Sequence, residues 1–539
     1  MSSNFFAIAF LVLFCVAWFV RFEWQMLSGE YWHNDDNAQH VAWMWKWKDG
    51  CQFAAGDLLN DAAEQLQPWG YVAVGRTAMM VLDPISFGKY MPLAALLATC
   101  FFAFFLVKKR FGLTLGLAAA ALVGFLTFER MVGFNARAFG FPLLLAFLYF
   151  FADGKWRGVS ICLIVSALFY PIVLLVELAM LGLEGVRSAF LNKTNLVATA
   201  RTHFKNLTLL AVGALLAVAI SFAKSRQIAA YSNIGPMFTA NALLTLPMFS
   251  SEGRVDFTRE MRPFAQVVKN GFQDPVYKLP IVVVAILLLL GASFGDRSHR
   301  RFDRALFYLP LAGIGLLVTA RLLLPTLFLP TRYLTYTYPV FFSILLVRLL
   351  GIYAAFFQKW WATAILLAAL ILPRFWRFEP KNHAQQDYGN YSLLFKIVDE
   401  LPPDHGLIAG PPDPCNMIPM RCKRSVLYSQ EGFHALYFRN YWEKMAPRLF
   451  GYIDATTTAD PAVVEAFVRK WGVSYLLVDR QLVEQGRKFA LFEPFKSYLV
   501  ERLAKNPERN FAINQFPDNQ YFKIEKKYRL LDCRQWLGK

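Results

Sequence analysis

The densest group of reactive side chains in the chain is Trp32-His33-Asn34-Asp35-Asp36-Asn37-Ala38-Gln39-His40. Two adjacent carboxylates repel each other and lose hydration beside an apolar segment. They persist cheaply only against a cation, a basic ligand or a proton-transfer task. A solvated acidic N-cap for a following helix is the plainer reading of the same residues. On such a helix Asp36 and His40 are four residues apart on one face, which suits two ligands of a divalent metal, with His33 a further candidate. Three or four convergent ligands make a metal site, and one short segment does not guarantee them.

The elements that must hold these residues are apolar helices. The acidic pair follows the run Phe5–Val20, which lacks a basic start and a small-residue cleavage site and reads as a retained first helix. Further runs recur from Met91–Val107 to Trp361–Leu372, about eleven spans in all, several shorter than the roughly 20 residues a perpendicular helix needs. Of the 539 residues, 56% are hydrophobic and 17% charged, against about 25% charged in soluble domains. The chain is therefore expected to be a polytopic α-helical membrane protein; the short alternating segments of a β-barrel do not dominate.

The formal net charge of +18 sits largely in short loops between apolar runs. No zinc-finger or RNA-binding motif accompanies it, so nucleic acid is excluded as a partner. The loops with Lys108–Arg110, Lys155 and Arg157, Arg187 to Lys205, Arg297 to Arg304, and Lys359 alternate with long or weakly basic ones. The positive-inside rule puts the basic set in the cytoplasm, and loops 22–90 and 224–278 and everything after 373 outside. Arg21 alone argues the other way.

This divides the chain into a membrane domain, 1–373, and a terminal domain, 374–539, which carries 25 Lys+Arg and 19 Asp+Glu. LIAG (Leu407–Gly410), SVLYS (Ser425–Ser429) and VSYLLVD (Val473–Asp479) read as short buried strands. Asp460, Pro461 and Gly472 punctuate a helix between the last two. The terminal domain is thus expected to be a soluble α/β unit. Ala38 to Lys48, with Trp43, Trp45 and Trp47 beside Lys46 and Lys48, reads as an interfacial helix at the lipid headgroups. Cys415 and Cys422 flank a short outer loop and could pair in an oxidising compartment. Glu177 is the clearest acid within an apolar run. Standing alone, it suits a hydrogen-bonded structural role as well as a transport role.

A first transmembrane helix, an outer loop opening with an acidic pair, many further spans and a terminal soluble domain together resemble the GT-C-type integral-membrane glycosyltransferase superfamily. The stretches NDDNAQHVAWMWKW (Asn34–Trp47), ERMVGFNARAFGFPLLLAFLYF (Glu129–Phe150), ALFYP (Ala167–Pro171), LPTRYLTYTYP (Leu329–Pro339) and YLLVDR (Tyr475–Arg480) resemble a bacterial branch of it at corresponding places. The resemblance implies a GT-C-like fold and transfer of a sugar from a polyprenyl-phosphate-linked donor to a glycan, lipid or protein acceptor of the cell envelope. It implies residence in the bacterial inner membrane, with the reaction and the terminal domain on the periplasmic face. It also implies that Asp35 or Asp36 serves as general base, or positions the acceptor or a divalent metal such as Mg²⁺ or Mn²⁺, Asp36 and His40 being the candidate ligands. Glu129 occupies the place of a second acidic residue, unless it merely pairs with Arg130. Such a transfer also needs cations on the departing phosphate. Arg332, with Tyr333 beside it, and Arg137 are the candidates, because a planar guanidinium matches phosphate at headgroup depth; a snorkelling interfacial Arg is the alternative for Arg332. The rival functions are a transporter or flippase of envelope lipids and a non-catalytic membrane scaffold.

Overall fold

The computed structural model describes residues 3–191, 196–256, 279–295, 297–323, 329–353, 385–479, 491–524 and 528–538, with 327, 359, 361–362, 365–369 and 372. The part of loop 224–278 after 256, and residues 363, 364, 370 and 371 of the span expected at Trp361–Leu372, lie outside the described residues.

The membrane domain is a bundle of long apolar helices. In chain order these are α1 (Ser3–Ser28), then the short α2 (Asn37–His40), α3 (Leu58–Gln65) and α4 (Trp69–Ala78), followed by α5 (Pro84–Phe111), α6 (Leu113–Thr127), α7 (Gly140–Asp153), α8 (Trp156–Phe169), α9 (Pro171–Leu191) and α10 (Leu196–Ala230). After the short α11 (Ala240–Thr245) come α12 (Leu279–Gly295), α13 (Arg300–Leu322) and α14 (Arg332–Leu350). Seven of the described helices are long and apolar enough to cross a membrane, and Trp156–Phe169 and Val282–Gly291 are shorter apolar helices. The protein is a polytopic α-helical membrane protein with a terminal sheet domain. Large apolar side chains stay on the outside of the bundle, such as Leu13, Leu215, Phe222 and Leu287, where lipid takes the place of water.

The bundle has two chemically different ends. Helix α5 starts next to the acidic segment: Asp83 caps it, and a Cβ on Gly88 would collide with Asn37. At a rise of about 1.5 Å per residue, its other end, Lys108–Arg110, lies on the far side of the bundle. There Lys109, Arg110 and Lys155 converge on Asp153, Arg187 and Arg304 on Glu184, and Arg348 forms a buried two-pronged pair with Asp303. These basic residues therefore gather at the end opposite Asp35 and Asp36.

At the acidic end the loop after α1, the described part of loop 224–278 and the terminal domain interlock. Strand β1 (Trp32–Asn34) pairs antiparallel with β2 (Gln385–Asp387), placing His33 opposite Gln386. The terminal sheet has the order β3-β4-β6-β5, with β3 (Leu407–Ala409) parallel to β4 (Val473–Asp479), and β6 (Tyr528–Asp532) antiparallel to both β4 and β5 (Tyr521–Ile524). Helices α15 (Arg439–Thr457) and α16 (Pro461–Trp471) flank it; Asp460 accepts from the Ala462 N–H and Gly472 ends α16 in a left-handed conformation, as expected. SVLYS differs from expectation: Val426 makes only an isolated bridge to Ile408, because the segment turns away to meet the first outer loop.

The tryptophan-rich segment also differs. It forms α2 followed by a 3₁₀ helix, Ala42–Trp47, and Trp43, Met44 and Trp45 are buried in protein. The Trp45 indole donates to the Met420 carbonyl of the terminal domain at 2.8 Å. Lys423 of the same domain stands over the Trp45 ring, 4.4 Å from its centroid. All seven cysteines are free, so Cys415 and Cys422 are not bonded to each other.

Candidate functional site

The acidic pair stands where β1 ends and α2 begins. Gly133, at φ +76°, lets the turn before α7 pass so close that a Cβ there would strike Asn37 and Asn34. This brings Asn135 and Arg137 to the carboxylates. The Asn135 side-chain Oδ1 caps the turn by accepting from the Arg137 N–H at 3.2 Å, and its side-chain Nδ2 donates to Asp36 Oδ2 at 3.4 Å. Arg137 Nη2 lies 2.5 Å from the same oxygen. Gln39 donates to Asp36 Oδ1 at 3.2 Å. Asp36 occupies the N-cap position of α2, yet its side chain makes no capping bond. Its carboxylate is turned to Arg137 instead.

Asp35 is held less tightly. It accepts from the Asp36 N–H at 2.9 Å and from Gln386 of β2 at 3.3 Å. The two neighbours titrate in opposite directions. Burial raises the Asp35 carboxyl above the usual range and the Asp36 charge adds to it. Burial acts on Asp36 as well, but the Arg137 charge, with Gln39 and Arg332, outweighs it and holds Asp36 low. The neighbours' environments thus push the two carboxyl groups apart, Asp36 towards the ionised form and Asp35 towards the protonated one.

Arg332, the first residue of α14, is half-buried beside Tyr170, Tyr336 and Tyr437, and its charge reaches Asp36 and His40. Tyr336 donates from its hydroxyl to the Arg137 carbonyl at 3.4 Å. Asp36, Arg137 and Arg332 are therefore brought together. Tyr333 is buried near Tyr170. Glu129 lies exposed in the 3₁₀ turn Phe128–Arg130, with no hydrogen bond or ion pair to either aspartate among the described residues.

The expected metal pair is not assembled as a ligand set. Both Asp36 oxygens face donor groups, and His40 Nδ1 faces the Gln67 amide at 3.1 Å. Burial depresses the His40 imidazole to about 4 and that of buried His33 to about 3, so both are neutral. Among the described residues no three or more His, Cys, Asp or Glu side chains stand close enough to hold a metal ion. In this arrangement the cation facing Asp36 is the Arg137 guanidinium.

Four groups at the site come from segments not expected there: Glu431, His434 and Tyr437 from the terminal domain and Arg254 from loop 224–278. His40 and His434 face each other with ring centroids 6.3 Å apart, and Arg254 pairs with Glu431 at 2.8 Å. The sequence signal was Glu431 and His434 within Gln430-Glu431-Gly432-Phe433-His434, titratable residues in a short turn-rich stretch. Nothing local marks Arg254.

An acidic pair in the loop after α1, arginines where α7 and α14 begin and a terminal domain packed against them make up the architecture of this chain. Its fold is similar to that of two solved structures of the Archaeoglobus fulgidus oligosaccharyltransferase. The complex with Zn and sulfate is 12% identical over 88% of this chain and 68% of that one, with a TM-score of 0.51. The apo form is 12% identical over 89% and 70%, with a TM-score of 0.52. At this identity the likeness is one of fold. No family model and no curated protein matches the chain.

Proposed function

We propose that the protein is an inverting membrane glycosyltransferase that moves a sugar from a polyprenyl-phosphate-linked donor to an envelope acceptor, working on the periplasmic face of a bacterial inner membrane. The observation that carries this reading is the convergence of Asp35, Asp36, Arg137 and Arg332 on one half-open site within a GT-C fold. An apolar cavity of about 390 Å³ supports it, lined by Met91, Phe102, Phe134, Phe139, Leu143 and Phe150 among others. Its lining includes Phe134 and Phe139, which bracket Arg137 in sequence. A lipid phosphate on Arg137 would thus have its hydrocarbon chain led into apolar surface.

In this reading Asp35 takes the proton of the acceptor hydroxyl as that oxygen attacks the sugar carbon. Arg332 and Arg137 stabilise the charge that gathers on the phosphate as it leaves. Asp36 aims Arg137. Glu177, the one acid that suggested transport, is buried and accepts from Ser166 at 2.9 Å, a structural hydrogen bond. The decisive comparison is of envelope glycans from a deletion strain carrying wild type or Asp35→Asn/Asp36→Asn. Loss of a glycan only with the variant supports the reading, and unchanged glycans in both strains overturn it.

A further inference from the structure

A second cavity, of about 210 Å³, lies between the start of α4, the junction of α8 and α9, and the last turns of α10. Printed contacts fix these elements around it. Trp69 Nε1 donates to Gln227 Oε1 at 2.9 Å, Gln227 Nε2 donates to Gln65 Oε1 at 3.2 Å, and a Cβ on Gly70 would collide with Phe169. Leu66, Trp69, Leu168, Pro171, Ile220 and Ile228 give the cavity apolar walls. Trp69 and Ser225 in its lining are exposed, as are Leu215, Leu216 and Phe222 along α10, so it opens on the lipid-facing side of the bundle.

One face of α10 brings polar groups into these walls. Ser221, Lys224, Ser225 and Ile228 follow the i, i+3, i+4, i+7 spacing, and all four line the cavity. Among the described residues, the buried Ser221 hydroxyl oxygen has no hydrogen-bond partner, and no carboxylate pairs with the partly buried Lys224. An unmet hydroxyl and an unpaired ammonium in apolar surroundings both cost free energy, and a single anion would satisfy both. Lys224 lies fewer than two turns from the end of α10. Just beyond that end the Ser232 carbonyl accepts from Asn440 and Lys444 of the terminal domain. The two polar groups therefore sit near headgroup depth, at the acidic end of the bundle.

We propose that this cavity binds an anionic phospholipid, whose phosphate diester sits between the Lys224 ammonium and the Ser221 and Ser225 hydroxyls. A diester phosphate carries one negative charge and offers acceptors only, which matches one ammonium and two hydroxyl donors. A zwitterionic lipid brings a cation of its own and leaves Lys224 less well matched. The acyl chains would follow the apolar walls onto the exposed side of α10. This site stands apart from Asp35 and Asp36, and nothing in it requires the glycosyltransferase reading. Its lipid would nevertheless brace that cluster. Leu66 and Pro68 of the lining flank Gln67, whose amide faces His40 at 3.1 Å, and Leu168 and Pro171 bracket Tyr170, which stands beside Arg332.

The test is native mass spectrometry of the full-length protein, titrated with phosphatidylglycerol or with phosphatidylcholine of the same acyl chains. Wild type should bind the first phosphatidylglycerol at least about fivefold more tightly, the worth of one Lys near an anionic headgroup. Lys224→Gln should abolish that preference. Arg226→Gln, which removes an exposed cation outside the cavity lining, should leave it intact. Ser221→Leu fills the cavity but keeps the ammonium; it should weaken phosphatidylglycerol binding, which keeps the proposal testable if Lys224→Gln does not fold. Equal binding of the two lipids by wild type overturns the proposal, as does a wild-type preference in Lys224→Gln or undiminished phosphatidylglycerol binding in Ser221→Leu. An equal loss in Arg226→Gln and Lys224→Gln also overturns it, by making Lys224 one snorkelling cation among others. Release of the bound lipid by equimolar inorganic phosphate would make the cavity a free-anion site and overturn the lipid.

Discussion

The two aspartates should separate stability from turnover. Asp36→Asn removes the charge that Arg137 faces at 2.5 Å and leaves that guanidinium unpaired. Hydrogen bonds to charged groups are worth about 1.5–3 kcal/mol, and breaking a well-buried ion pair costs about 3–5 kcal/mol. Asp36 and Arg137 retain 20% and 22% side-chain exposure, so solvent screening places the loss near the low end, about 2 kcal/mol. Asp35→Asn removes no ion pair. Because its folded pKa is raised, Asp35 costs stability as pH rises through that pKa, and Asn abolishes the cost. Its stability at neutral pH should hold or rise slightly, while transfer falls by about 10²-fold or more. Denaturant titration in detergent, beside transfer of labelled lipid-linked sugar in membranes, measures both quantities. Asp35→Asn with wild-type transfer, or Asp36→Asn with wild-type stability, would refute the division of labour.

Arg332→Lys keeps the charge but loses the planar fork, so transfer should fall with the fold intact, and Arg332→Ala should do worse; wild-type rates in both make Arg332 an anchor. Arg348→Ala strands the buried Asp303 carboxylate and should cost about 3–5 kcal/mol, read from the denaturant midpoint. With Arg137 as the cation facing Asp36, transfer should survive EDTA; abolition by EDTA and recovery with Mn²⁺ or Mg²⁺ would return Asp36 to a metal. Alkaline-phosphatase fusions should be inactive at residue 300 and active at residue 450, and an inactive fusion at 450 would contradict a periplasmic site.

The bundle was legible from sequence because each membrane helix satisfies its own backbone hydrogen bonds and is selected by local apolarity alone. The same locality made α16 readable, since Asp460, Pro461 and Gly472 act within a turn of where they stand, and made β4 readable as a continuous apolar run. Asp35, Asp36, Arg137 and Arg332 were visible as chemistry-bearing types at loop and helix ends. Their roles were not, because composition cannot say which charge faces which. Only the tertiary structure turned Asp36 from a helix cap into the partner of Arg137, through a left-handed Gly133 that admits Asn135 and Arg137. It alone buried the tryptophans in protein rather than lipid, left Glu129 outside and brought Glu431 and Arg254 in. A local pattern records what a segment prefers; a site is assembled from contacts between segments hundreds of residues apart, and a pKa follows from the burial and neighbours those contacts create.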